Sequence, residues 1–114
     1  MTRKAYVEVA ALDDLRESYV TLFQVAGRPV ILTRVGDAVH AFDGTCTHAE
    51  FQFATSRLVN GCEIECPMHG ACFDAETGEV THGPAEESLR LIDVQVEDGV
   101  VRLCVDWADA TDPV

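Results

Sequence analysis

Two short stretches of this 114-residue chain hold the side chains best suited to bind a transition metal. They are Cys46-Thr47-His48, and Cys66-Pro67-Met68-His69 followed by Gly70. The pattern is C-x-H, seventeen residues, then C-x-x-H. Thiolate is a soft ligand and imidazole a borderline one, so the two loops can bring two of each to one centre. That donor set suits one tetrahedral zinc ion or a cluster of two irons and two sulfides. The order of the ligands matters. Zinc modules of this composition pair cysteine with cysteine and histidine with histidine, whereas each loop here offers one of each. Mixed loops suit a binuclear centre spanned by both, with the cysteines on one iron and the histidines on the other.

The elements that must position these loops read as short strands. Tyr19 to Val25 alternates with period two, the spacing of a half-buried strand. Pro29–Val35 leads through Gly36-Asp37 to Ala38–Phe42, a two-residue hairpin signal. Asn60-Gly61 predicts a second hairpin, linking Arg57–Val59 to Cys62–Cys66. Asp98-Gly99 predicts a third, linking Ile92–Val96 to Val100–Val105. Asp74–Glu79 reads as a longer hairpin loop with a left-handed Gly78. Ala11–Glu17 has room for one helical turn, with Leu12 and Leu15 on a shared side. The fold class is all-β, with small antiparallel sheets. The segment from Asp43 to about Ala85 holds four of the five cysteines and three of the four histidines. It reads as a functional unit on a plainer scaffold, and the acidic tail Asp106–Val114 is expected to fray.

Composition narrows the partners. Eight basic against twenty acidic residues give a net charge of −12, which repels nucleic-acid backbones and suits fast docking to a basic protein surface. No apolar run approaches the ~18 residues of a membrane span. Glu8 interrupts the N-terminus before a secretory signal can build. An odd number of unevenly spaced cysteines points to thiolate ligands in a reduced compartment rather than to a disulfide framework.

Cys46-Thr47-His48, the run Cys66-Pro67-Met68-His69-Gly70-Ala71-Cys72-Phe73-Asp74, Thr77-Gly78 and Gly83-Pro84-Ala85 together resemble the Rieske [2Fe-2S] family. More narrowly they are similar to the small soluble Rieske-type ferredoxins of bacterial aromatic-ring-hydroxylating dioxygenase systems. The likeness extends over nearly the whole chain, with weaker matches at 11–15 and 27–30. It implies one Rieske domain over residues 1–114, with a cluster-binding subdomain at about 43–85 inserted in a basal β domain. It implies one [2Fe-2S] cluster, with Cys46 and Cys66 on the inner iron and His48 and His69 on the outer one. The segment around Gly83-Pro84-Ala85 would be the proline loop over the cluster. The implied role is a one-electron carrier that is not itself an enzyme. It would accept from a flavoprotein ferredoxin reductase and donate to a terminal oxygenase. A cytoplasmic monomer is expected, with no nucleic-acid or membrane partner. Two alternatives are a Rieske-like small subunit of an enzyme such as a nitrite reductase, and a structural zinc module. Many such subunits lack the ligands, so the complete set here weighs against the first, and metal analysis decides the second.

Histidine on one iron leaves the oxidised centre neutral, so it accepts an electron more readily than an all-cysteine cluster. High-potential members of the family add a disulfide between the loops and place a serine and a tyrosine as donors to cluster sulfur. The matching positions here are Phe51, Met68, Ala71 and Phe73. None donates a hydrogen bond, which predicts a potential toward the low end of the Rieske range of about −150 to +300 mV.

The remaining candidates read as structural. Cys62 shares a strand face with Ile64 and Cys66, which predicts a buried thiol. Cys72 reads as a packed thiol beside the second loop, and Cys104 faces away from Leu103 and is expected to be partly exposed. His40 shares a face with Phe42, and His82 precedes Gly83-Pro84 and falls near the cluster rim. Phe51, Phe53 and Met68 read as an apolar collar or as ordinary packing, and Trp107 as packing against the sheet.

Overall fold

A computed structural model describes residues 6–45, 53, 55–66, 70–83 and 88–104. The described chain is all-β, in three antiparallel sheets. Among the described residues no helix is long and apolar enough to cross a membrane.

The central sheet contains β2 (Tyr19–Val25), β3 (Arg28–Val35) and β4 (Ala38–Asp43), flanked by β5 (Ser56–Arg57) beside β2 and β9 (Leu91–Ile92) beside β4. The middle strand β3 is buried on both faces from Val30 to Thr33, which is why its sequence runs apolar without alternating. Ile31 faces one core with Val20 and Phe42, while Val30 and Leu32 face a second with Val39 and Ala41. Burying such a side chain on each face stabilises by roughly 1.5–3 kcal/mol apiece.

Each core is closed by one of the other sheets. β1 (Tyr6–Ala11), β11 (Val100–Cys104) and β10 (Val94–Glu97) supply Val101 and Leu103 to the second core. β6 (Glu63–Glu65), β7 (Cys72–Asp74) and β8 (Val80–His82) supply Ile64 and Phe73 to the first. The β7–β8 turn is tied to the central sheet by Thr33, the only buried polar residue among the described ones, whose hydroxyl donates to the Ala75 carbonyl at 2.7 Å.

The predicted turns at Gly36-Asp37 and Asp98-Gly99 form, as does the Asp74–Glu79 loop with Gly78 at φ +78°. The Ala11–Glu17 segment makes a single 3-10 turn, Leu12–Asp14. Arg34 holds that turn by donating to the carbonyls of Leu12 and Leu15, and Leu15 is buried in the second core.

One hairpin differs from expectation. Asn60-Gly61 does turn, with both residues at positive φ, but the flanking segments meet only at a single bridge between Val59 and Glu63. β5 pairs instead with Tyr19 and Val20 on β2. Leu58 explains the exchange: its N–H donates to the Ser18 carbonyl, and its side chain is buried in the first core.

Candidate metal centre

Three loops leave the first core close together, and each is pinned at its base by backbone hydrogen bonds. The first follows β4. Gly44 donates to the Pro29 carbonyl at 2.9 Å, and its own carbonyl accepts from the Phe53 N–H at 2.8 Å. The chain between leaves and returns at one point. The Thr45 N–H is held by the Asp43 carboxylate at 3.0 Å. Gly44 is needed for the close approach: a Cβ there would stand 2.8 Å from the Pro29 carbonyl carbon.

The second loop follows β6, which delivers Cys66 into the first core at 1% exposure. The Cys66 N–H donates to the Ala71 carbonyl at 2.7 Å, and its carbonyl accepts from the Gly70 N–H at 3.1 Å. The turn is therefore closed on itself, with Gly70 at φ +77°. The third loop follows β8. The Leu89 N–H donates to the Gly78 carbonyl at 2.8 Å, and the returning Arg90 carbonyl accepts from Asp43 at 2.9 Å. That bond sets the third loop's base beside the first. The Phe53 and Phe73 rings, 6.0 Å apart and edge to face, set the second beside the first.

Of the four sequence-predicted ligands, Cys66 is the described one. Cys46, His48 and His69 lie outside the described residues, as do Pro84 and Ala85 of the expected proline loop. No group of three or more His, Cys, Asp or Glu side chains among the described residues is arranged to hold a metal ion. The surroundings of Cys66 fit a cluster of two irons and two sulfides. Ala71, Phe73 and Phe53 around it are buried and apolar, and such a shell keeps water from sulfide and thiolate.

Cys72 opens β7, the strand that follows the second loop. It stands on the face of β7 opposite to Phe73, directly across from Glu65 on one side and His82 on the other. Its thiol donates weakly to the Gly70 carbonyl at 3.5 Å. Burial, and then the carboxylates of Glu63 and Glu65, push its pKa above the ordinary value, so it is the packed, protonated thiol expected of it. His82 is exposed. His40 is half-buried on the face of Phe42, and its Nδ1 is enclosed without a hydrogen-bond partner among the described residues.

Two thiols depart from expectation. Cys62 is exposed rather than buried: β6 begins only at Glu63, so the alternation does not reach back into the turn. Cys104 is buried rather than partly exposed. It does face away from Leu103, but Tyr6 on β1 stands directly opposite it in register. Phe53 belongs to the core, whereas Phe51, Met68 and Trp107 lie outside the described residues. Sequence reasoning missed the pinning role of Gly44. A glycine directly before a ligand loop was the available signal.

The family model for the Rieske [2Fe-2S] domain matches residues 5–96. The ferredoxin component of the naphthalene 1,2-dioxygenase/salicylate 5-hydroxylase systems of a Ralstonia species is 33% identical over 98 residues, covering 86% of this chain and 93% of that protein. The ferredoxin of carbazole 1,9a-dioxygenase from Nocardioides aromaticivorans superposes with a TM-score of 0.79 at 36% identity, over 87% of this chain and 96% of that one. A chain from a complex of reduced oxygenase and oxidised ferredoxin in carbazole 1,9a-dioxygenase gives a TM-score of 0.79 at 31% identity, over 87% and 92% of the two chains. With three loops rooted together around a buried cysteine and matches of this extent, the chain belongs to the Rieske [2Fe-2S] family, and its cofactor is a Rieske-type [2Fe-2S] cluster.

Proposed function

We propose that the chain is the ferredoxin of an aromatic-ring-hydroxylating dioxygenase system, carrying one electron at a time from a flavoprotein ferredoxin reductase to a terminal oxygenase. The observation that carries this reading is the placement of Cys66, fixed by two backbone hydrogen bonds and buried in the first core where the bases of three loops converge. Cys46 and Cys66 would hold one iron, and His48 and His69 the other. When bound, such a cluster takes up and releases a single electron.

The protein's own residues set the conditions for that exchange. Phe53, Phe73, Ala71 and Ile64 exclude water from the inner side of the site. Ala71 and Phe73 offer no side-chain donor, so added negative charge is less stabilised than in high-potential relatives. We assign about 43–85 as the cluster-binding part of one domain over 1–114. The stretch from Asp43 to Glu87 has nine carboxylates and one base, Arg57, a net charge of −8. A basic docking surface on each partner follows, with transfer rates that fall as salt rises. We place the chain in the cytoplasm as a monomer.

A reductase-coupled assay tests the reading. The purified chain is expected to restore electron flow from a flavoprotein ferredoxin reductase to an aromatic-ring oxygenase at catalytic concentration. Failure with every reductase and oxygenase pair of this class, by a sample that retains its cluster, overturns the assignment.

A further inference from the structure

We propose that Phe53 and Phe73 form an aromatic clamp between the two ligand-bearing loops, which makes them positioning residues for the cluster. The inference rests on the reading that Cys46, His48, Cys66 and His69 are the ligands. Phe53 closes the base of the first loop through its bond to Gly44. Phe73 lies two residues beyond Ala71, whose carbonyl closes the second. The Gly44–Phe53 base and the Cys66–Ala71 base are each closed by a backbone hydrogen bond of their own. The strands that carry them, β4 on one side and β6 and β7 on the other, belong to different sheets.

The two rings join these bases. They meet edge to face at 6.0 Å with an interplanar angle of 84°, the arrangement in which a positive ring edge meets a negative ring face. Both rings are almost wholly buried, at 2% and 0% exposure, so water does not compete for the contact. A cluster ligated by both loops leaves only when the loops part, and parting them separates the rings.

Chelator-driven bleaching of the holoprotein's visible absorption, with the EPR linewidth of the reduced state, tests the clamp. Phe53→Leu and Phe73→Leu are each expected to speed cluster loss about 2- to 12-fold, the factor set by an aromatic pair's energy beyond its area. The double variant should be no faster than the faster single one, because one substitution already opens the clamp. Both singles should broaden the EPR signal. Ile31→Val is the control: Ile31 shares the core but lies in neither loop base. It should leave the rate within about twofold at matched melting temperature. Should a leucine variant fail to fold, Phe→Met retains the volume without the ring. Multiplicative rates in the double variant, or equal acceleration by Ile31→Val, would overturn the clamp while leaving the ligand assignment standing. A wild-type chain without iron and sulfide overturns both.

Discussion

Replacing Gly44 with alanine tests whether the base of the first loop is as tight as the structure shows. The added methyl would lie 2.8 Å from the Pro29 carbonyl carbon, 2.9 Å from its oxygen and 3.0 Å from its Cβ. These are backbone and ring atoms that cannot swing aside. Relief requires β3 and the loop to separate, which stretches the Gly44–Pro29 and Phe53–Gly44 hydrogen bonds. Overpacking costs about 1–3 kcal/mol and each weakened bond up to about 1 kcal/mol, so a total near 2–4 kcal/mol follows. For a chain of this length that lowers the melting temperature by roughly 8–16 °C. Gly36→Ala is the comparison. Gly36 sits at φ +62° with nothing within 4 Å of an added methyl, so backbone strain alone applies, about 1 kcal/mol or roughly 4 °C. Thermal melts by circular dichroism, read together with cluster content, measure both. The reasoning fails if Gly44→Ala melts within about 3 °C of the parent, or if Gly36→Ala is the more damaging change.

Other outcomes follow from particular contacts. Thr33→Val keeps the shape but leaves the buried Ala75 carbonyl without its donor, and urea denaturation should show a loss of about 1–3 kcal/mol. Because the folded-state pKa of Cys72 lies above the ordinary thiol value of 9.0, the folded chain keeps this proton while the unfolded chain loses it. Stability should therefore decline as pH rises past 9.0, and Cys72→Ala should flatten that decline in alkaline denaturation curves. Ala71→Ser introduces a donor beside the second loop. A new bond worth about 1.5 kcal/mol to the reduced centre would raise the midpoint by about 60 mV for one electron, measurable by protein-film voltammetry. The parent midpoint should lie toward the low end of the Rieske range, and a value well above zero at neutral pH would contradict the inference from missing donors.

The kind of centre was legible in the sequence because metal chemistry needs few residues at short spacing. Turn positions were legible for a similar local reason, since Gly36, Asp98-Gly99 and Gly78 carry the positive φ their turns require. What escaped were facts decided at a distance. β5 has two residues and no pattern of its own, so its partner is settled by Leu58 reaching Ser18 and the first core. Alternation placed Cys104 on a correct face but not under Tyr6, because that neighbour arrives from the far end of the chain. Cys62 fits the alternation by residue type, yet the strand starts one residue later. Likewise the meeting of Phe53 with Phe73 depends on how two sheets pack, for which the intervening residues give no signal.

Iron and acid-labile sulfide analysis of anaerobically purified protein, paired with EPR after reduction, bears most directly on the whole account. Two irons and two sulfides per chain and a rhombic signal appearing with one electron are predicted, with the signal lost in Cys66→Ser and in His69→Ala. Stoichiometric zinc without sulfide, or a silent reduced sample, would contradict it.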